Sequence, residues 1–266
     1  MVTALEAFQL PFRSYLSLEP YDDVELPPDW NVKSEWVFGR LMYPNHPNAM
    51  FGKFRRGGGR AHWLEGGTSW TQDYPRADRH FSQALRRLTR IQTRSVEQPV
   101  NLDDGDDVYN WPFMVGGEMG DWLLTDQQVV KLRDYLLRGG FLFLDDFWGE
   151  EEWDRFVYSM KRVFPDRPIV EIANEDQVFH AVYDLDERYQ IPGQWALRGS
   201  MRWRSEGTVA YWRGIYDDKG RLMVIICFNS DVGDGWEWAD EPRYPEKFSA
   251  LAIRLGVNSV VYAMTH

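Results

Sequence analysis

Apolar positions along the chain follow two alternating rhythms. Ala77, Phe81, Ala84, Leu85, Leu88 and Ile91 recur on a 3.6-residue period and predict an amphipathic helix, with Asp73 and Pro75 as its start signals. Val129, Leu132 and Leu136 repeat the pattern behind Thr125, a capping residue, and Gly139 marks the stop. Trp153, Phe156, Val157, Met160 and Val163 predict a third helix, and Phe248, Leu251, Ala252 and Leu255 a last one ended by Gly256. Between them lie short apolar segments that read as strands: 36–43, 108–115, 141–144, 168–172, 208–216, 222–229 and 257–264. Asp217-Asp218-Lys219-Gly220 has hairpin-turn composition. Strands alternating with helices predict an α/β sandwich, a mostly parallel sheet with helices on both faces and one antiparallel hairpin. Residues 8–34 are rich in Pro, Asp and Tyr without periodicity, and no linker follows. The expected organisation is an extended arm over 1–34 and one α/β domain over 35–266.

The strand 141–144 stops on two adjacent carboxylates, Asp145 and Asp146, before Trp148-Gly149 opens the next helix. In open α/β sheets ligands gather beyond the carboxyl ends of the strands, so this pair is the first place to look for function. On a strand the two side chains point to opposite faces. One can enter a crevice while the other caps the helix, or the pair can act on a cation or a proton. Trp70, Asp73 and Tyr74 belong to the same edge, although Asp73 also reads as a helix N-cap. Asp231 to Trp238 reaches that edge too, as a loop. Its glycine-spaced acids lack the twelve-residue calcium pattern, and Trp236 and Trp238 flank Glu237 as a stacking platform would. Trp148 and His180 complete the candidates. No zinc motif is present, and neither a metal nor a cofactor is expected.

Charge and composition narrow the partners. A net charge of -11 argues against nucleic acid, whose binding needs Lys and Arg on phosphates. Aromatic residues make up 15% of the chain, with 13 Trp, enough to fill a core or line a groove for a sugar or peptide. The single cysteine, Cys227, excludes an intramolecular disulfide framework. It lies in the apolar run 224–228, where a thiol serves as a small buried hydrophobe. No apolar run reaches the ~20 residues of a membrane span, so no transmembrane segment is expected. Ala4-Leu5-Glu6-Ala7 has small residues spaced as a signal peptidase accepts, the expectation being a trimmed or re-started export signal. Gly57-Gly58-Gly59 with Lys53, Arg55, Arg56 and Arg60 lacks a phosphate-loop ending and reads as a loop.

Three segments together resemble a known family: Ser69-Trp70-Thr71-Gln72-Asp73-Tyr74-Pro75 with Asp78, the strand 139–146, and Asn258-Ser259-Val260-Val261-Tyr262-Ala263. The chain from Trp36 to His266 resembles the bacterial family catalogued as domain of unknown function 4159. The resemblance implies a flavodoxin-like sandwich similar to class I glutamine amidotransferases and trehalose-utilisation-like proteins, often in an exported or membrane-associated setting. It implies no activity. In the amidotransferases a cysteine sits on a strand-to-helix turn with a His and a Glu. Here Asp145 and Asp146 occupy the corresponding turn, which argues against cysteine chemistry, and His180 is an analogue of that histidine or a structural residue. Two functions follow. One is a non-catalytic domain that binds a small polar or carbohydrate-like ligand, or an envelope protein, in a periplasmic or exported setting, with a cytoplasmic one as the alternative. The other is a carboxylate-dependent hydrolase acting on a carbohydrate-like substrate. Trp70, Asp73, Asp145, Asp146 and His180 are expected to converge on one crevice.

Overall fold

The computed structural model describes residues 11–19, 25–49, 61–198 and 203–266. The expectations for 1–7 and for the glycine-rich basic segment 53–60 lie outside the described residues. In chain order the elements are β1 (Gly39–Met42), α1 (Arg76–Leu88), β2 (Gln98–Asn101), β3 (Phe113–Gly116), α2 (Asp126–Leu137), β4 (Phe141–Leu144), α3 (Gly149–Val163), β5 (Val170–Glu171), β6 (Tyr211–Tyr216), β7 (Leu222–Phe228), α4 (Val232–Glu237) and α5 (Glu246–Thr265). The strands form one sheet in the order β2-β1-β3-β4-β7-β6-β5. The first five run parallel, and β6 is antiparallel to both of its neighbours. Without the β5–β6 edge this is the flavodoxin-like order.

Strand periodicity divides the core between the two faces. From β4, Phe141 and Phe143 join the side chains of α1, α4 and α5, while Leu142 and Leu144 join those of α2 and α3. A sheet covered on both faces needs strands that are apolar throughout, and every residue of β4 and β7 is buried. Thr125 caps α2 as its sequence predicts, in a reciprocal arrangement with Gln128, and Gly139 takes φ +112° past the helix end. Near the start of the described chain, the Tyr15 N–H donates to Tyr74 Oη and the Leu18 N–H to the Thr71 carbonyl.

The structure corrects several boundaries. The expected helix end at Gly256 and closing strand 257–264 are one continuous helix, α5. Gly256 is there for close packing: a Cβ would stand 2.5 Å from Phe81 Cε2. The β-branched run after it is helical because Val257 and Val260 are buried in the core. The edge strand β2 escapes the pattern because Gln98-Pro99-Val100-Asn101 has one large apolar residue, and Pro is tolerated only at an edge. Residues 107–110 form a 3-10 turn before β3, α1 stops at Leu88 before Ile91, and α4 replaces the expected loop after Asp231. By length and composition α5 could cross a membrane, but 61% of its apolar window is buried inside the protein, which accounts for its hydropathy as core packing.

Candidate functional site

Four strands deliver polar residues to one edge of the sheet. Tyr43 follows β1, Gly117 and Glu118 follow β3, Asp145 and Asp146 follow β4, and Asn229, Ser230 and Asp231 follow β7. At the switch point between β1 and β3 the Tyr43 hydroxyl donates to the Gly117 carbonyl at 2.7 Å and fills the crevice from below. Among the described residues five non-glycines have positive φ: Asp73, Glu118, Asp146, Ser205 and Asn229. Four of them stand beside this edge as carboxylates or an amide. Asp and Asn enter the left-handed region at low cost, whereas Glu118 at φ +51° does not. Clustered outliers of this kind mark a site whose surroundings hold it in place.

Two charge systems lie there. In the first, Arg204 donates bidentately to Glu118 at 2.8 and 2.9 Å and reaches Glu152 at 3.2 Å and Asp146 at 3.6 Å. One guanidinium thus serves three buried carboxylates. Asp146 also accepts from its neighbour's indole, Trp148 Nε1, at 2.8 Å, and Glu152 accepts the Trp148 N–H at 2.7 Å. Below it, Arg40 of β1 forms a buried ion pair with Asp78 of α1.

The second system has no cation of its own: Arg40, paired with Asp78, acts on Asp73 and Asp145 only through space. Asp73, Asp145, Asp231 and Asp234 are each at most 5% exposed, and no ion pair joins any of them to a described Lys, Arg or His. Asp145 Oδ2 accepts the Gly233 N–H at 2.6 Å. Asp231 Oδ1 caps α4 by accepting the Asp234 N–H at 2.8 Å, and Asp234 accepts from Trp238 Nε1 at 2.9 Å and from the Gln194 N–H. Burial, then the charge of Asp146, pushes Asp145 up to about 8. Burial, reinforced by neighbouring carboxylates, holds Asp73 and Asp231 well above the usual range. Oxygens of Asp73, Asp231 and Asp234 lie within 4.8 Å of one another, the spacing of oxygen ligands to a metal ion, and Asp73 stands equally close to Glu19 and Glu237.

The predicted residues separate. Asp73, Asp145, Asp146 and Asp231 come together, with Asp145 and Asp146 turned to different partners because the chain turns at Asp146, past the end of β4, through a left-handed φ of +51°. Asp73 is no N-cap: Pro75 holds that position and makes no side-chain cap. Trp70 and Tyr74 are fully buried, Trp70 in the core on the α2–α3 face, with its Nε1 on the Trp63 carbonyl at 2.8 Å. Trp236 is buried in the opposite core and donates to the Ala252 carbonyl. Neither ring offers a face to a ligand. Trp238 lies under the Arg76 guanidinium. His180 bonds to Asp184 and Asn174, and its neighbour Gln177 borders a groove with Gly139 and Lys219 at the amino edge of the sheet. It does not join the crevice. Cys227 is buried mid-strand in β7 and burial pushes its thiol well up.

Sequence reasoning missed the ring of residues around the carboxylates. A narrow cleft of about 20 Å3 is lined by Asp146, Trp148, Gly193, Trp195, Trp203, Arg204 and Asp231. Trp195 and Trp203 are 47% and 41% exposed at its rim, while Trp148 is buried in its wall. Glu118 was legible by the same logic as Asp145, as the first acid after a strand. Arg204, Trp195 and Trp203 sit in segments without periodicity and carry no local signal.

Residues 61–264 match the family model described as Domain of unknown function (DUF4159). No curated protein was found to match the chain.

Proposed function

The chain belongs to the DUF4159 family, and we propose that it binds a small polar, hydroxyl-rich ligand across the mouth of the cleft, against Trp195 and Trp203. The observation that carries this reading is the placement of two exposed tryptophans at the rim of one carboxylate-floored cleft. Exposed aromatic faces stack on the apolar face of a sugar ring, and Asp146 and Asp231 accept from its hydroxyls. The cleft itself, about 20 Å3, admits a hydroxyl or a water, so the ring lies across the tryptophan rim above it. The scaffold on this reading is the amidotransferase-like variant of the flavodoxin-like fold, working in the bacterial envelope without cysteine chemistry; the burial of Cys227 supports that last point.

A second reading, a carboxylate-dependent hydrolase, is favoured by Asp145. A buried acid pushed up to about 8 keeps its proton at neutral pH, as a general acid must. A thermal-shift panel of mono- and disaccharides with the full chain tests both readings. The expected result is saturable binding that Trp203→Ala and Trp195→Ala each weaken at least tenfold without unfolding. Product from the best binder, abolished by Asp145→Asn, would favour the hydrolase. Absence of binding across the panel, with an envelope protein captured instead, would replace the ligand reading with an interaction module.

A further inference from the structure

Four carboxylates that share only the field of Arg40, itself paired with Asp78, cannot all remain charged in a site this dry. Removing one carboxylate from water costs several kcal/mol even after relaxation, and like charges at this spacing add to it. Either protons or a bound cation must neutralise them. The two alternatives leave different marks on hydrogen bonding, because a carboxyl kept neutral by burial is normally set in a network that satisfies it.

Asp73 is not set in such a network. It is 4% exposed, yet its carboxylate has no hydrogen bond to any described residue. It arrives on a loop 158 residues from Asp231, and its oxygens lie within 4.8 Å of those of Asp231 and Asp234. The second oxygen of Asp231, Oδ2, faces Gly193, where a Cβ would stand 2.8 Å away. On the other side, a Cβ at Gly233 would stand 2.3 Å from Asp73 Oδ2. Two glycines therefore let these oxygens sit against the backbone, where any side chain would collide with them. Asp231 also lines the cleft, so the cluster is reached from solvent beneath the tryptophan rim.

We propose that Asp73, Asp231 and Asp234 hold one hard divalent cation, of the Ca2+, Mg2+ or Mn2+ class, at the floor of the cleft. Three carboxylates with no nitrogen or sulfur among them select hard cations over zinc or copper. The site replaces the expectation of no metal, drawn from His and Cys spacing and from the missing twelve-residue calcium pattern, neither of which tests for carboxylates gathered from distant segments. The inference rests on the inner acids and stands whether or not a sugar occupies the cleft.

The test is titration of CaCl2, MgCl2 and MnCl2 separately into the chelator-treated full chain, followed by calorimetry and thermal melts. At least one ion should bind at a single saturable site and, at a hundredfold excess over Kd, raise Tm by ~5 °C. Asp73→Asn should weaken that ion at least tenfold while leaving the metal-free Tm equal or higher, because it removes a repelling charge. Trp203→Ala should bind the ion as the wild type does, which separates this result from any failure of the sugar reading. If Asp73→Asn does not fold, Asp231→Asn takes its place. Failure of all three ions to bind the wild-type protein overturns the proposal, and so does undiminished binding by the substituted protein.

Discussion

The Oδ2 atom of Asp145 accepts the backbone N–H of Gly233 at 2.6 Å, joining the end of β4 to the first turn of α4 across 88 positions of sequence. The bond fixes α4 against the sheet edge and with it Asp231 and Asp234. It also places Asp145 on the α4 face while Asp146 turns to Arg204, so one dipeptide serves both charge systems.

Asp145 makes the stability of the metal-free protein depend on pH with an unusual sign. Its folded value is about 8 against an ordinary 3.8, so the folded state holds a proton that the unfolded state releases between those values. Stability is then greatest at the acid end of this window and declines as pH rises towards 8, by up to ~1.4 kcal/mol per unit. Asp73 and Asp231, shifted the same way by burial, steepen the decline. Urea titrations from pH 5 to ~8.5 in chelator should show it, and Asp145→Asn should reduce it. A wild-type stability that rises across the window would contradict the assignment.

Arg204 holds Glu118, Glu152 and Asp146 in place. Arg204→Met leaves three buried carboxylates without their cation and should cost ~3–5 kcal/mol of stability. Arg204→Lys should recover only part, since an ammonium cannot reproduce the bidentate contact with Glu118. Equal stability of the Met variant and wild type by denaturant titration would remove Arg204 from this role.

Cys227 should be inert in the folded protein. It is fully buried with its thiol pushed well up, so a thiol reagent should label it only after unfolding. Rapid labelling of the native chain at mildly alkaline pH would show that β7 opens.

Gly256 and Gly139 should respond differently to alanine. Gly256→Ala drives a methyl into Phe81 and Trp236 inside the core and should cost ~1–3 kcal/mol with helix content unchanged. Gly139→Ala meets no atom within 4 Å, and its penalty comes from φ +112° alone, ~1 kcal/mol. Thermal melts of the two variants in parallel check the order.

The amphipathic stripes behind Pro75 and Thr125, the apolar run 141–144 and the Asp217–Gly220 turn were enough to read an α/β sandwich with one hairpin. Each is a local pattern, set by the period of the element and by its caps. The same locality explains what was misread. Gly256 carries a stop signal by type, yet Phe81, contributed by another helix, decides that it packs instead. β2 is a strand because β1 offers it hydrogen-bonding partners, and its own composition does not demand one.

The site divides along the same line. Asp145, Asp146, Asp73 and Asp231 were legible because each lies where a strand or loop reaches the carboxyl edge, a position that chain order alone suggests. Trp70, Tyr74 and Trp236 looked like ligand-facing rings because sequence gives a ring's presence and not the side of the sheet to which it turns. Burial put Trp70 and Trp236 in the two cores and covered Tyr74 as well. Arg204, Trp195 and Trp203 come from aperiodic segments, and only packing over the ends of β4 and β7 brings them to the cleft. The sequence by itself determined which segments end at the edge, because periodicity and turns are short-range. The tertiary structure decided which side chains meet there, because charge pairing and burial depend on residues as distant in sequence as Asp73 and Asp231.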